Sequence, residues 1–260
     1  MNCQILTYNV HGLPWSRHKF IEICAWIKEI RPSIVCLQEV FTESARAYYK
    51  DQLEREGYVV CIPRDGGVSL MPSGLLTAAR EKDFKILSDC FCPYLEYHNV
   101  ELLANKGFHC LQLHCLKTKR RLCIVNTHTQ SDTEVSWWWG KAFITRIRRA
   151  QFQQILEHLH QCPASVLIAG DLNCETSPHP YVRFLKPPVR EPLRKATFYS
   201  TGEDLDHIAW LPLQWARKGC HYCDVVQRGP QMESCVVYEK PWSDHAPILA
   251  TVRIPLRDPK

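Results

Sequence analysis

The amino-acid sequence predicts a four-layer α/β sandwich, in which two packed mixed β-sheets are flanked by helices. Two observations carry this prediction. Helical segments alternate with strand-like segments and strand-rich stretches along the chain, which is typical of sheets layered against helices. The 260 residues also contain no internal repeat, low-complexity tract or linker-like stretch. We therefore expect one domain that spans residues 1–260 and buries its own core.

Three amphipathic helices are predicted from apolar residues at helical spacing. The first covers about residues 17–30. The second covers residues 42–56, with Thr42 as a candidate N-cap and Gly57 as a stop signal. The third covers residues 141–160 and carries a basic face along its length.

Short apolar runs between these helices predict the strands, and the proline-rich residues 178–192 are expected to form a surface loop. The predicted strands are Gln4–Val10, Ile34–Gln38, Tyr58–Ile62, Val68–Leu70, Leu75–Ala79, Phe108–Cys115, Arg121–Asn126, Ser165–Ala169, Asp206–Trp210 and Ile248–Ile254.

Composition limits the function only loosely. The net charge of +5 is compatible with an anionic substrate or an anionic membrane surface and proves neither. Of the 14 cysteines, those within apolar runs, such as Cys24 and Cys36, are expected to be core residues. Cys220 and Cys223 form a CxxC pair, but no second such pair faces it, so free thiols in a reduced compartment are favoured over zinc.

The N-terminus lacks the features of a signal peptide, and no apolar run reaches the roughly 18 residues of a membrane span. We expect a cytoplasmic protein, with peripheral attachment to a membrane left open. Trp137, Trp138 and Trp139 are consecutive, so one face of a helix cannot bury all three. They form either a core aromatic cluster or a contact with the membrane interface.

Five polar clusters lie at the ends of predicted strands, where α/β folds usually build their sites. They are Tyr8–Gly12, Gln38–Glu39, Asn126–Asp132, Gly170–Asn173 and Ser243–His245.

These clusters contain the groups that phosphoester hydrolysis needs. A hard cation such as Mg²⁺ prefers oxygen ligands, and Glu39 ends an apolar strand, so it is either a metal ligand or a surface carboxylate. His245 is a candidate base, and Asp244 beside it either orients the ring or serves the metal. The list is completed by Asp171 and Asn173, which could hold water or a phosphate oxygen, and His128, which could donate to phosphoryl oxygens.

The order YNV, LQEV, NTH, GDLN and SDH, from residue 7 to about residue 251, resembles the endonuclease/exonuclease/phosphatase superfamily, which has the DNase I-like fold. Further segments are similar to those of the neutral sphingomyelinases within that superfamily. They are Asp65–Val68 (DGGV), Asn105–Phe108 (NKGF), Asn126–Asp132, Arg148 with Gln151 (RxxQ) and Leu205–Ile208. The NKGF segment and the THxQ loop are the most specific of them.

This resemblance implies a role for each matching residue. Glu39 would be the principal ligand of Mg²⁺, with Mn²⁺ as a substitute, and Asn9 would lie close to the metal and the substrate. Asp171 and His245 would position and activate water, and Asn173 and His128 would hold phosphate oxygens. Asp206 and Asp244 would orient the catalytic histidines or complete a second metal environment. Lys106 would lie near the substrate, with Glu101 where the family often has Asp; otherwise Lys106 is a solvated surface lysine.

The activity implied is the Mg²⁺-dependent hydrolysis of sphingomyelin to ceramide and phosphocholine at a membrane surface. A nuclease or DNA-repair phosphodiesterase and a phosphoinositide phosphatase would use the same metal-site residues. Nucleic-acid binding is disfavoured by the modest charge, since such proteins usually carry a strong basic stripe. An inactive lipid- or protein-binding scaffold is a further alternative, which the joint presence of the polar clusters disfavours.

Overall fold

Two six-stranded sheets and three helices make up the described part of the chain. The computed structural model describes residues 2–12, 17–64, 69–98, 101, 103–132, 136–160, 162, 164–177, 179–180, 182–185, 196–211, 230–238 and 240–254. In chain order the elements are β1 (Asn2–Asn9), α1 (Arg17–Ile30), β2 (Ile34–Gln38), α2 (Glu43–Arg55), β3 (Tyr58–Cys61), β4 (Leu76–Arg80), β5 (Phe84–Pro93), β6 (Gly107–Cys115), β7 (Arg121–His128), α3 (Ser136–Leu159), β8 (Ser165–Asp171), β9 (Arg183–Phe184), β10 (Asp206–Leu211), β11 (Gln231–Val237) and β12 (Ile248–Arg253).

The strand order brings the predicted polar clusters to one edge of the molecule. The first sheet has the order β11-β12-β1-β2-β4-β3, and the second has the order β5-β6-β7-β8-β10-β9. β1 and β2 run parallel, with Asn9 opposite Gln38, and β7 and β8 run parallel, with His128 opposite Asp171. Because the carboxyl ends of parallel strands meet at the same edge of a sheet, each sheet presents two polar strand ends side by side.

Three apolar clusters define four layers. One cluster lies between the sheets and includes Ile5 of β1 and Ile124 of β7. A second joins the outer face of the first sheet to α1 and α2, and a third joins the outer face of the second sheet to α3 through residues such as Phe152. The predicted order of layers, helix, sheet, sheet and helix, is therefore confirmed.

Asn126 of β7 connects the two sheets through polar contacts in this core. Its buried amide donates to the carbonyl oxygen of Leu37 at 3.0 Å and to that of Leu76 at 2.9 Å, both in the first sheet. Its side-chain oxygen accepts from Gln38 Nε2 at 2.7 Å. Buried polar groups are costly unless paired, so these bonds fix how the sheets sit against each other.

The predicted helices and most strands agree with the structure to within a few residues at each end. Thr42 caps α2 by accepting from the backbone nitrogen of Ala45. α3 begins earlier than predicted, with a break in helical geometry at Gly140, where φ is +72°. The strands β5, β9 and β11 were not predicted, and β9 forms within the residues 178–192 that were expected to be a surface loop. The expected strand at Val68–Leu70 is wrong for residues 69 and 70, and Val68 lies outside the described residues.

The described cysteines are all free thiols, and both Cys24 and Cys36 are buried in the apolar clusters, as predicted. The pair Cys220 and Cys223, the segment Asp65–Val68 and most of the proline-rich residues 178–192 lie outside the described residues. Among the described helices, none is long and apolar enough to cross a membrane.

Candidate active site

The amide of Asn9, at the end of β1, links two carboxylates from different sheets. Its Nδ2 donates to Glu39 Oε1 at 3.0 Å and to Asp171 Oδ2 at 3.0 Å. Its Oδ1 accepts from the backbone nitrogen of His11 at 3.1 Å. Residues 162 positions apart are thereby brought together at the edge where both sheets present their parallel strand ends.

Gly170 allows this approach. A Cβ atom at this position would collide with the backbone oxygen of Thr127 on the neighbouring strand β7. Only glycine therefore lets β7 and β8 stay paired up to their last residues, His128 and Asp171.

His128 is held as a neutral imidazole with a defined tautomer. Burial, together with the nearby charges of Lys106 and His245, lowers the pKa of His128 well below its usual value. Lys106 Nζ lies 3.1 Å from His128 Nε2 and has only protons to offer, so Nε2 accepts and the ring proton is assigned to Nδ1. Nδ1 is buried without a hydrogen-bond partner among the described residues, and it lies 3.9 Å from Glu39 Oε1. The ring therefore aims a free donor at the Glu39 carboxylate and the space beside it.

Lys106 is buried, which excludes the alternative of a solvated surface lysine. It forms an ion pair with Glu101, which is buried as well, and donates to the backbone oxygen of Thr129 at 3.4 Å. Glu101 also accepts from the backbone nitrogen and hydroxyl of Ser131. The carboxylate of Glu101 thus contacts both Lys106 and the loop after β7.

His245 lies between two carboxylates. Its Nδ1 is 2.7 Å from Asp206 Oδ2, and its Nε2 is 3.5 Å from Asp171 Oδ2. Although burial lowers the pKa of His245, the carboxylates of Asp206 and Asp171 outweigh that effect and raise it to about 10. Burial raises the pKa of Asp171 to about 6, despite the opposing charge of His245.

Asp244 contacts His11 rather than its neighbour His245. Asp244 Oδ1 lies 3.2 Å from His11 Nδ1, whereas the ring of His245 is held by Asp206. Burial alone would raise the pKa of Asp244, but the hydrogen bond with His11 and the charges of His11 and His245 together outweigh burial and lower that pKa to about 2. The same bond raises the pKa of His11. His11 lies 3.9 Å from Glu39 and was not singled out from the sequence, where nothing indicates its tertiary partner.

Three residues around the site adopt left-handed backbone conformations, which residues other than glycine rarely take. They are His11, Glu39 and Asn173, with φ of +43°, +60° and +49°. Asn173 follows the turn after β8, where its backbone nitrogen donates to Asp171 Oδ1 at 3.0 Å and its Nδ2 donates to the oxygen of Thr129 at 3.1 Å. Such strain persists only where the surrounding contacts hold it in place.

The loop after β7 is fixed by α3. Arg148 donates from Nε to the oxygen of Gln130 at 2.7 Å and pairs with Asp132 at 2.6 Å. Gln151 accepts from the backbone nitrogen of Gln130 at 3.0 Å. The RxxQ pattern therefore supports the loop next to His128. The backbones of residues 137–139 lie in α3, but the three tryptophan side chains are outside the described part, so their membrane contact stays a prediction.

The donors at this edge fit a hard divalent cation. Glu39 and Asp171 offer carboxylate oxygens, which are ligands that Mg²⁺ prefers, and Asn9 faces both of them with its Nδ2 while its Oδ1 accepts from the backbone nitrogen of His11. Burial raises the pKa of Glu39, because the charged carboxylate has lost its contact with water. A bound cation would stabilise that charge in place of the water. Asp206 Oδ1 is also buried without a hydrogen-bond partner in the described part of the chain. Glu39 and His245, although far apart in sequence, flank the same network through Asn9 and Asp171.

The sequence profile of the Endonuclease/Exonuclease/phosphatase family matches residues 6–245, which is most of the chain and includes every candidate site residue. The chain belongs to this family. Enzymes of the family are hydrolases of phosphoester bonds and typically depend on a divalent metal. No curated protein matches the sequence significantly.

Solved structures similar to this family member include a sphingomyelinase, a protein bound to a DNA product and a toxin with bound magnesium. Sphingomyelinase C from Streptomyces griseocarneus is 20% identical, with a TM-score of 0.69, 96% of this chain covered and 99% of the other. D. rerio TDP2 in complex with a single-strand DNA product is 16% identical, with a TM-score of 0.69 and coverage of 97% and 99%. A mutant beta toxin from Staphylococcus aureus with bound magnesium ions is 16% identical, with a TM-score of 0.69 and coverage of 96% and 99%. At these identities the likeness shows the DNase I-like fold alone.

Four exposed apolar residues that the sequence did not single out lie near the site. They are Leu70, Met71, Leu95 and Leu103, and we call them the apolar rim. Leu70 is 83% exposed and Leu95 is 82% exposed, and the other two are exposed as well. The chain segments that carry these four residues flank Lys106. The backbone nitrogen of Met71 donates to the carbonyl oxygen of Leu103 at 2.8 Å, and the backbone nitrogen of Tyr94, beside Leu95, donates to the carbonyl oxygen of Lys106 at 2.9 Å. Exposed apolar side chains of this size are a signal of a binding surface, but only the fold places them together.

Proposed function

We propose that this protein is a Mg²⁺-dependent phosphodiesterase that hydrolyses sphingomyelin to ceramide and phosphocholine. The observation that carries the proposal is the pair of bonds from Asn9 to Glu39 and Asp171, flanked by His128 and His245. These groups combine oxygen ligands for a cation, a candidate base and a free donor within one buried edge of the sandwich.

Glu39 would be the principal ligand of Mg²⁺, with Mn²⁺ as a substitute. Asn9 would lie close to the cation, and its side-chain oxygen would reach it once the amide turns over, because Nδ2 faces both carboxylates in this structure. When bound, the cation supplies charge stabilisation to the phosphoryl oxygens. Asn9 Nδ2 already holds the Glu39 and Asp171 carboxylates, so the same amide would set the positions of both groups around the cation and the substrate. Asp244, with His11 at 3.2 Å, would keep that histidine in place beside Glu39.

Water attacks the phosphorus atom while Asp171 orients it and His245 accepts its proton. The bond between phosphorus and the ceramide oxygen breaks, and that oxygen takes up a proton from solvent water and leaves as the ceramide alcohol, while His245 returns its proton to solvent. Asp206 holds Nδ1 of His245 and stabilises the imidazolium that forms, which leaves Nε2 directed towards Asp171 and the reacting centre. Since the carboxylates raise the pKa of His245 to about 10, its action as a base depends on a bound cation that neutralises part of their charge.

His128 and Asn173 would hold the phosphate oxygens as negative charge develops on them. Support for His128 comes from its free Nδ1 donor, which is fixed in direction by Lys106 on the far side of the ring. A preorganised donor of this kind stabilises the transition state without reorganising during the reaction. Asn173 is held beside it by its bond to the oxygen of Thr129.

The apolar rim supports a lipid as the substrate class. A phosphodiester within a bilayer is reached only if part of the protein contacts the interface, and Leu70 and Leu95 offer exposed apolar surface next to Lys106. The net charge of +5 would favour an anionic surface. A peripheral contact of this type is consistent with the cytoplasmic location that we propose.

The proposal is tested by offering the purified protein several phosphoesters in parallel. Vesicles of sphingomyelin, lysophosphatidylcholine micelles, single-stranded DNA and a phosphoinositide are incubated with the protein and Mg²⁺. We expect release of phosphocholine from sphingomyelin, its loss with a chelator, and a fall of orders of magnitude in the folded His245→Ala variant. Faster cleavage of DNA would identify a nuclease, and faster release of inorganic phosphate would identify a phosphoinositide phosphatase. Absence of turnover on all four would identify a binding scaffold.

A further inference from the structure

A second group of metal-ligating side chains lies where the edge strand β5 meets the last turn of α3. Cys90 Sγ is 4.0 Å from Cys92 Sγ and 3.3 Å from His158 Nε2. Cys92 Sγ is 3.6 Å from the same nitrogen. These three residues form the thiol–imidazole cluster, and none of them contributes to the candidate active site.

Local geometry explains why the cluster forms. Alternate residues of a strand point to the same face, so both cysteines point towards the outer face of the second sheet, against which α3 packs. His158 stands in the last turn of α3 and stacks edge-on against Phe108 of β6, with ring centroids 5.4 Å apart. The ring is therefore supported on one side and faces the two thiols on the other.

The distances match a tetrahedral site. With metal–sulfur bonds of about 2.3 Å and metal–nitrogen bonds of about 2.0–2.1 Å, tetrahedral angles place two sulfurs about 3.8 Å apart and sulfur and nitrogen about 3.6 Å apart. The sulfur–sulfur separation of 4.0 Å and the Cys90–His158 separation of 3.3 Å lie within about 0.3 Å of those values, whereas Cys92 Sγ lies beside the ring, 3.4 Å from Nδ1 and 3.6 Å from Nε2. A single cation can therefore contact all three residues once the exposed His158 side chain turns one ring nitrogen towards both sulfurs.

Charge and access also favour a cation here. Hydrogen bonding to Cys92 and to His158 lowers the pKa of Cys90 to about 6, although burial opposes the shift. The thiolate, which is the form that binds metal, is thus available at Cys90 at neutral pH. The same contact with Cys90 raises the pKa of Cys92, so Cys92 would lose its proton only as a cation binds. Cys90 and Cys92 are partly buried and His158 is exposed, so a cation reaches the cluster from solvent.

A disulfide between Cys90 and Cys92 is a poorer use of the same atoms. Residues two apart in an extended strand have their Cα atoms about 6.6–6.8 Å apart, at the upper limit for a disulfide. Both residues keep regular pairing with β6, Cys90 opposite Cys110 and Cys92 opposite Phe108. Bridging them would require this pairing to distort, whereas a shared metal would not.

We propose that Cys90, Cys92 and His158 bind one Zn²⁺ ion, with the fourth position open to water. Sulfur and imidazole select zinc over the hard cations that the oxygen ligands around Glu39 select, so the two sites differ in the metal they take. The ion would clamp the edge strand β5 to α3, the helix that supports the loop beside His128 through Arg148 and Gln151. Binding to the folded chain alone would then raise its stability with zinc concentration.

The test uses Co²⁺ as a spectroscopic probe of the intact 260-residue chain. Metal is removed with a chelator, saturating Mg²⁺ and a thiol-free reductant are added, and Co²⁺ is titrated, followed by Zn²⁺. We expect one equivalent of Co²⁺ to produce a thiolate-to-cobalt charge-transfer band and the strong visible bands of tetrahedral cobalt, all of which Zn²⁺ abolishes. We also expect Zn²⁺ to raise the melting temperature.

Matched variants locate the metal. Cys90→Ser, Cys92→Ser and His158→Gln are each expected to weaken binding at least about tenfold or abolish the band, while far-ultraviolet circular dichroism reports that the fold is kept. His160→Gln, two residues further along, is expected to bind as the unaltered protein does. The double variant Cys220→Ser, Cys223→Ser removes the other closely spaced thiol pair and is expected to retain the band.

Two results would overturn the proposal. One is the absence of a charge-transfer band in the reduced, unaltered protein. The other is a band that survives Cys92→Ser but disappears in the Cys220→Ser, Cys223→Ser variant, which would assign the metal to the CHYC pair.

Discussion

The imidazole of His245 and the carboxylate of Asp206 are joined by a contact of 2.7 Å between Nδ1 and Oδ2, although 39 positions separate them in the chain. Both are buried, so the pair is shielded from solvent. This geometry supports the orienting role that the resemblance implies for Asp206, whereas Asp244 contacts His11.

Replacing Asp206 with asparagine should therefore change the pH dependence of catalysis. The carboxylate stabilises the imidazolium, so its loss should lower the pKa of His245 and move the acid limb of kcat/KM to lower pH. Turnover at neutral pH should fall about 10²-fold, since asparagine no longer fixes the ring of His245 in the reacting tautomer and residues that orient a catalytic group typically contribute about that much. A pH–rate profile of the Mg²⁺-bound variant measures both effects, with Glu203→Gln as the control. An acid limb that stays in place would exclude His245 as the titrating base.

The contact between Lys106 and His128 makes a separate prediction about the tautomer. In the double variant Glu101→Gln, Lys106→Met, no charge is left unpaired, but nothing donates to Nε2 of His128. We expect kcat to fall about 10- to 100-fold, as for other residues that orient a catalytic group, with KM little changed. Nitrogen NMR of the ring should show Nδ1 protonated in the unaltered protein and a mixture in the variant. The exposed Lys117→Met is the control, and an unchanged tautomer in the double variant would contradict the role of Lys106.

The amide of Asn126, which bridges the two sheets, should contribute to the stability of the fold. Asn126→Leu removes its bonds to Leu37 and Leu76 and takes from Gln38 Nε2 the nearest of its acceptors. We expect the free energy of unfolding in urea to fall by about 2–4 kcal/mol, because buried polar groups lose their partners. Asn2→Ala, at an exposed site, should change it by less than about 0.5 kcal/mol. Equal effects of the two substitutions would show that the bridge contributes little.

Glu39 should couple metal binding to thermal stability. Mg²⁺ is expected to raise the melting temperature of the unaltered protein and to leave that of Glu39→Gln nearly unchanged, since the variant lacks the principal charged ligand. Because burial raises the pKa of Glu39, the charged carboxyl destabilises the metal-free fold above its ordinary pKa. Metal-free Glu39→Gln should therefore be at least as stable at pH 7. Calorimetry with and without Mg²⁺ measures both melting temperatures. An equal rise in the melting temperature of both proteins would place the cation elsewhere.

The apolar rim should bind the bilayer. Leu70→Ser combined with Leu103→Ser is expected to reduce co-sedimentation with sphingomyelin vesicles several-fold and to raise the apparent KM on vesicles. Activity on a short-chain substrate dispersed as monomers should change little, because the catalytic groups are untouched. Ile21→Ser, which alters an exposed residue of α1, is the matched control. Equal vesicle binding by all three proteins would argue for contact through other residues, such as Trp137–Trp139.

The sequence was sufficient to predict the layers and most candidate site residues because strong local patterns mark them. β2 and β8 are apolar runs that end abruptly in Glu39 and in Asp171, and this contrast is visible without a structure. β5 was missed because it is an edge strand whose mostly exposed residues show no clean alternation. The pairing of His11 with Asp244 and of Cys92 with His158 depends on how distant segments pack, which no local pattern records.

The left-handed backbone at Glu39 has a consequence for how this position changes over evolution. A glutamate there bears conformational strain of order 1–3 kcal/mol, which asparagine would reduce and glycine would remove. A lineage that no longer needed the chemistry would gain stability from either replacement, so drift would favour losing the glutamate once selection ceased. Its retention in a relative is therefore a simple marker that catalysis is still under selection in that lineage.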